Sequence, residues 1–260
     1  MHKKVLVTGA NGQLAETIKE LYAKNDIGLD FTFVNKSELD ITNKEHLDVL
    51  LNTSKFHYCI NCAAYTNVEQ AEKTPEMAFK VNAEGVRQLA EACKVSNIIL
   101  IHISTDYVFD GEKEAFSVND ETNPINEYGK SKLLGEKYIQ NILNQYFIIR
   151  TSWLYSKKYG HNFYKIILKK AQKAKELSVT VDQTGCPTDA VNLSNYIVKL
   201  IHENSTSFGI YHFCDKKIMT WYAFAEQILL ENNLSKKIKL VRVNRYPTFA
   251  KRPRNSVLKC

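Results

Sequence analysis

No stretch of this 260-residue chain is apolar for long enough to form a signal-peptide core or a membrane span, so a soluble, unprocessed, cytoplasmic protein is expected. Clustered histidines are missing, and no second Cys-x-x-Cys accompanies the one at Cys59 and Cys62, which argues against a zinc site. Those two cysteines fall in an apparent strand, where an odd separation puts the thiols on opposite faces. Neither chelation nor a redox dithiol is favoured there, and the six cysteines read as free thiols of a reducing compartment. Acidic residues are missing after Glu231, while Lys236, Lys237, Lys239, Arg242, Arg245, Lys251, Arg252, Arg254 and Lys259 follow it. The whole net charge of +7 therefore lies in this last segment. A solvated tail, a nucleic-acid patch and an anion site for a phosphorylated substrate compete as explanations. The segment alternates apolar residues at Ile238, Leu240 and Val243 and lacks any recognisable nucleic-acid module. A folded wall presenting arginines to a diphosphate is the preferred reading.

The first 150 residues are regular. Short apolar runs at Val5–Thr8, Phe31–Val34, Tyr58–Cys62, Ile98–Ile103 and Phe147–Arg150 read as strands. Helical patterns separate them: Leu14–Ala23, Leu47–Leu51, a long amphipathic helix opened by Pro75, and a helix from Tyr128 towards Ile142. Strands alternating with helices mean βαβ units and a parallel sheet with right-handed crossovers. The near-continuous apolar run Ile98–Ile103 suits a strand covered on both faces. The fold class is α/β: a Rossmann-type doubly wound parallel sheet with a smaller carboxyl-terminal lobe. Residues 1–150 are expected to form the NAD(P)-binding domain, joined by a helix around 190–203, and residues 151–260 mainly a substrate-binding lobe. Ligands of such sheets bind at the carboxyl ends of the strands.

Three elements carry the chemistry. Gly9-x-x-Gly12-x-x-Ala15 follows the first strand and opens a helix. It departs from G-x-G-x-x-G in spacing, yet keeps a tight turn, a close backbone approach and a helix amino terminus for a pyrophosphate. Gly9, Asn11, Gly12, Gln13 and Leu14 are therefore cofactor candidates. Where an acidic residue would hold the ribose 2′-hydroxyl, the sequence has Asn35 and Lys36, which leans towards NADPH and leaves NADH open. Asp40 and Ile41 either flank adenine or cap the following helix. The small residues Ala63 and Ala64, with Tyr65, end the third strand, where a cofactor can lie against the backbone. Ser104 and Thr105 end the fourth, where a hydroxyl can bond a reacting carbonyl. Finally, Tyr128 and Lys132 share a helix face at i, i+4. A cation beside that phenol lowers its pKa and makes it an acid/base near neutral pH. Together these elements read as hydride transfer. His102 and His212 lie in apolar strands and read as satisfied core histidines.

The chain resembles the extended short-chain dehydrogenases, and within them the dTDP-4-dehydrorhamnose reductases. The resemblance rests on Ser104-Thr105-Asp106-Tyr107-Val108-Phe109-x-Gly111, Tyr128-Gly129-Lys130-Ser131-Lys132-x-x-Gly135-Glu136, Arg150-Thr151-Ser152-Trp153-Leu154-Tyr155, Asp182-Gln183-x-Gly185-x-Pro187-Thr188 and Arg252-Pro253-x-Asn255-Ser256-x-Leu258. It implies Tyr128 as general acid, Lys132 as its modulator and a ribose ligand, and Thr105 as the carbonyl's hydrogen-bond partner. It places Thr66, Val68, Asp106, Tyr107, Trp153, Asn162 and Arg252 against a nucleotide sugar. The implied reaction takes dTDP-4-dehydro-β-L-rhamnose to dTDP-L-rhamnose. Two departures stand out. Family members continue past the Asn-Ser-x-Leu strand with a further helical segment, whereas this sequence ends at Cys260. Thr17 and Val191 occupy positions where some members carry acidic residues of a metal-bridged dimer, so no metal is implied; a homodimer stays open. The rivals are the same chemistry on another nucleotide-linked 4-ketosugar, or a non-catalytic subunit of the kind that regulates methionine adenosyltransferase. Retention of both Tyr128 and Lys132 argues against the second.

Overall fold

Strands apolar on both faces must lie inside a layered sheet, and the computed structural model arranges them so. It describes residues 2–244 and 246–260; Met1 and Arg245, the latter one of the basic residues noted above, lie outside the described residues. β1 (Lys3–Thr8) leads into α1 (Gln13–Tyr22), followed by β2 (Leu29–Val34), α2 (Lys44–Thr53), β3 (Tyr58–Asn61) and α3 (Val68–Lys73). Pro75 opens a helical stretch as expected, but in three parts: α4 (Pro75–Phe79), a π-helical segment (Lys80–Gly85) and α5 (Val86–Val95). Next come β4 (Ile99–Thr105), a 3-10 turn (Asp106–Val108), α6 (Glu127–Ile142) and β5 (Tyr146–Thr151). The remainder is β6 (Leu154–Tyr155), α7 (Phe163–Ala171), β7 (Glu176–Thr180), β8 (Thr184–Gly185), β9 (Thr188–Asp189), α8 (Ala190–His202), β10 (Gly209–His212), β11 (Met219–Thr220), α9 (Trp221–Glu231) and β12 (Lys239–Val243).

The main sheet has the order β10-β5-β4-β3-β1-β2, with every pairing parallel. Strand order reverses between β1 and β3, the switch point at which doubly wound sheets bind ligands. Side-chain alternation gives each face its own core. Leu6, Cys59, Leu100 and Ile148 pack with α2 and α5, while Val5, Val7, Ile60, Ile101, Phe147 and Ile149 pack with α1 and α8. Cys59 and Cys62 indeed go to opposite faces: Cys59 joins the first core and Cys62 packs against the second.

Residues beyond 150 divide between two places. α8 and β10 return to the main sheet, while α7, α9, β7 and β12 enclose a separate core of Tyr155, Tyr164, Ile167, Leu177, Val179, Phe224, Ile228 and Ile238. β12 pairs in parallel with β7, so the apolar alternation of the basic segment marks a strand. Among the described residues no helix is long and apolar enough to cross a membrane.

Candidate active site

α6 is anchored at its amino end. Asn126 caps it, accepting from Gly129 N at 2.8 Å, and donates to Lys251 O at 2.9 Å. Gly129 lets the helix close on the 3-10 turn, since a Cβ there would sit 2.2 Å from Tyr107 O. This places Tyr128 beside Thr105, and its ring meets Tyr107 edge-on at 5.9 Å.

Lys132 shares that helix face, but its ammonium points elsewhere. Nζ donates to Ile103 O at 2.7 Å and lies 3.1 Å from His102 Nε2, whose Nδ1 meets the Asn61 amide at 3.0 Å. Burial pulls Lys132 down to about 8, against the Glu136 carboxylate, and holds His102 well below its usual range. The expectation that Lys132 lowers the Tyr128 pKa is corrected by this arrangement. Burial pushes the phenol above its ordinary value, with a hydrogen bond to Thr105 acting in the opposite direction. At neutral pH Tyr128 keeps its proton, as a proton donor must.

Around this pair lie residues of the fourth and fifth strands. Thr105 Oγ1 donates to Asp106 Oδ1 at 2.9 Å, and Ser152 donates to Asp106 Oδ2 at 2.9 Å. Burial nevertheless raises the Asp106 carboxyl to about 6, against hydrogen bonds from Ser256, Thr105 and Ser152. Ser104 donates to Glu136. His102 is a partnered core histidine, whereas both ring nitrogens of His212 are buried without a hydrogen bond, a departure from expectation; burial brings His212 down to about 4.

The glycine loop forms the other wall. Gly9 has φ +66°, and a Cβ on it would lie 2.7 Å from Ala63 N, so the β1 turn and the end of β3 touch backbone to backbone. Gly12 caps α1 and aims that helix's amino terminus into the cleft. Together, Asn11, Gly12, Gln13, Leu14, Ala64, Thr66, Val68, Ser104, Thr105, Asp106, Tyr107, Tyr128, Lys132, Trp153 and Arg252 line one cleft of about 610 Å³. Ala63 and Tyr65 sit just behind it; Asn82 grips the Tyr65 backbone at N and O, at 2.8 and 2.9 Å. Asn35, Lys36, Asp40 and Ile41 lie outside the cleft. Asp40 does not cap α2, a role filled by Asn43; it accepts from Thr42 N and Oγ1 and lies 3.9 Å from the exposed Lys36 ammonium. Asn162 is also set back from the cleft. Its amide caps α7 and bonds Gln13 Oε1, Ser156 O and Tyr159 O, tying α7 to the glycine loop.

The far wall has features that sequence reading missed. Trp221 stacks on Trp153 at 3.4 Å and 3°, and Phe163 packs against Trp221. Arg252 donates to Tyr107 OH at 3.1 Å and to Glu69 Oε1 at 2.7 Å, so α3 and the basic segment meet at the cleft rim.

The RmlD substrate binding domain family matches residues 3–260. A dTDP-4-dehydrorhamnose reductase from Aggregatibacter actinomycetemcomitans is 39% identical, the alignment covering 98% of this chain and 90% of the relative. The chain belongs to the dTDP-4-dehydrorhamnose reductase family. The crystal structure of a Bacillus anthracis family member in complex with NADP superposes with a TM-score of 0.94 at 38% identity, covering 100% of this chain and 91% of that one. A dTDP-4-keto-6-deoxy-D-glucose reductase from Streptomyces niveus is 34% identical over 86% of this chain and 77% of its own. No cluster of three metal-ligating side chains occurs among the described residues.

Proposed function

We propose that this chain reduces dTDP-4-dehydro-β-L-rhamnose at C4 to dTDP-L-rhamnose, in the cytoplasm. Residues 1–150 with the helix near 190–203 serve the cofactor, and residues 151–260 mainly serve the nucleotide sugar. NADPH, when bound, supplies the hydride; NADH is compatible with the same cradle. The fit of a dinucleotide rests on the loop: a Cβ at Gly12 would crowd Gly9 O, at 3.1 Å, but meet no other protein atom within 4 Å, so the cleft side of this glycine is open. A close-lying phosphate demands that opening.

The observation that carries the reading is the placement of the Tyr128 phenol beside Thr105 in a cleft that is also lined by a helix amino terminus. Tyr128 donates to the ketone oxygen, and the Thr105 hydroxyl, which donates to Asp106 Oδ1 in the free protein, turns to donate to it as well. As charge develops on that oxygen, Tyr128 gives up its proton, and the buried Lys132 ammonium, held to Ile103 O, is left to serve the cofactor ribose. Trp153 with Trp221, and Arg252 with Tyr107, form the wall for sugar and diphosphate. The half-buried guanidinium of Arg252 supplies charge-assisted hydrogen bonds there.

A panel of nucleotide-linked 4-ketosugars, followed by loss of NADPH absorbance at neutral pH, tests the proposal. The rhamnose precursor should give the highest kcat/KM. A higher value for dTDP-4-keto-6-deoxy-D-glucose, the substrate named for the Streptomyces niveus relative, would reassign the sugar. Tight binding without turnover of any member would favour the non-catalytic subunit.

A further inference from the structure

Three of the six cysteines converge in the fold. Cys186 lies between β8 and β9, Cys214 follows β10, and Cys260 follows the bridge that joins Leu258 to Phe116. Cys214 Sγ lies 2.8 Å from Cys260 Sγ although 46 positions separate them, and Cys186 is hydrogen-bonded to Cys214. Two sulfurs at that distance need to close by less than about 1 Å to reach the bond length of about 2.05 Å. Access differs along the cluster: Cys186 and Cys214 are buried, while Cys260 is exposed. By contrast, Cys59 and Cys93 touch in the sheet core with no exposure at all.

We propose that Cys214 and Cys260 form an oxidant-sensitive dithiol, which hydrogen peroxide converts to an intrachain disulfide fastening the terminal segment to the end of β10. Cys260, the exposed thiol, is the residue oxidised first. The hydrogen bond it shares with Cys214 lowers the Cys260 pKa and favours the nucleophilic thiolate. Cys260 thiolate takes one peroxide oxygen, the O–O bond breaks, and hydroxide leaves, giving a sulfenic acid. Cys214 Sγ then attacks Cys260 Sγ; the S–O bond breaks and the departing hydroxide takes the Cys214 proton as water. One peroxide is reduced by two electrons, two thiols are oxidised, and two waters form once the first hydroxide is protonated. Such transient, reducible bonds are the kind found in reducing compartments. The fastened segment matters because it carries Ser256, bonded to Asp106, and Arg252, bonded to Tyr107.

The test uses the whole chain, reduced and then treated with stoichiometric peroxide. Alkylation after denaturation should tag four cysteines instead of six, and peptide mapping should recover a dithiothreitol-reversible link between Cys214 and Cys260. Amide exchange over residues 251–258 should slow severalfold in the oxidised monomer. Cys260→Ser should abolish the link and leave turnover of the reduced protein unchanged, while Cys186→Ser should retain the link. Six free thiols after treatment, a link between other cysteines, a disulfide-bonded dimer, or stable overoxidation of Cys260 without a link would each overturn the proposal. So would unchanged exchange over residues 251–258.

Discussion

Glu136 and Arg150 form an ion pair closed off from solvent, with 0% and 3% of their side chains exposed. Arg150 Nη2 donates to Glu136 Oε2 at 2.7 Å, and its Nε reaches both carboxylate oxygens at 3.1 and 3.2 Å. Glu136 lies one turn beyond Lys132 on α6, and Arg150 lies on β5. The pair therefore bolts the helix bearing Tyr128 to the sheet bearing Thr105. Glu136→Gln would strand a buried guanidinium, and breaking such a pair costs about 3–5 kcal/mol. Urea unfolding should show a loss of that size. A loss below about 1 kcal/mol would mean that the bolt is dispensable.

Tyr128→Phe removes the hydroxyl and leaves the ring against Tyr107. The variant is expected to fold and to bind NADPH normally, with kcat reduced by a factor on the order of 10² or more. Steady-state kinetics with the preferred ketosugar provide the check; near wild-type kcat would remove Tyr128 from the proton-donor role.

The two glycines of the first turn are expected to fail differently. Gly9→Ala forces a Cβ into the Ala63 backbone and strains a residue at φ +66°, so it should lower thermal stability even without ligand. Gly12→Val meets one tight contact, Gly9 O at 3.1 Å from its Cβ, at an unstrained φ of −81°, and should fold with a smaller loss. Calorimetry should then show strongly weakened NADPH binding in the valine variant. Unchanged affinity would mean that the phosphates lie elsewhere.

What was legible in the sequence was local. The β1 turn, the apolar run of β4 and the i, i+4 pair on α6 each follow from spacing within one or two elements. What was illegible depends on contacts between distant segments. Spacing puts Lys132 and Tyr128 on one face, but the ammonium is captured by Ile103 O and His102 from the neighbouring strand. Trp221 offers no sign in sequence that it will stack on Trp153, which itself adopts φ 47°. The alternation at Ile238, Leu240 and Val243 announced order, yet only the pairing with β7 identifies where that strand goes.

Asp106 gives a pH dependence with a definite sign. Its folded pKa, near 6, exceeds the unfolded value of 3.8 because burial penalises the carboxylate. Its contribution to stability is therefore full below about pH 4 and is lost as pH rises through about 6. A difference of roughly two pKa units corresponds to about 3 kcal/mol. Asp106→Asn should remove this component, so the stability difference between variant and wild type should change across pH 4–6 and be flat above it. A difference that stays constant across that window would show that Asp106 ionises as it does in the unfolded chain.

Arg252 separates a substrate role for the basic segment from a nucleic-acid role. Its guanidinium is oriented by Tyr107 OH and Glu69 Oε1 and lines the cleft, with 22% of the side chain exposed. Part of the fork is thus spent on positioning, and the residue lines the cleft where the proposed function seats a diphosphate. Charge-assisted hydrogen bonds of this kind are worth about 1.5–3 kcal/mol each. Arg252→Ala is expected to raise KM for the nucleotide sugar roughly tenfold to a hundredfold, by conversion of that free energy into affinity. NADPH affinity should barely move, because the glycine loop forms the opposite wall of the cleft. Glu69→Gln is the accompanying control: it loosens the orientation of Arg252 while keeping its charge, and should raise KM by less than the alanine change. An unaltered KM in Arg252→Ala, together with salt-sensitive oligonucleotide binding that the substitution abolishes, would assign the segment to nucleic acid instead.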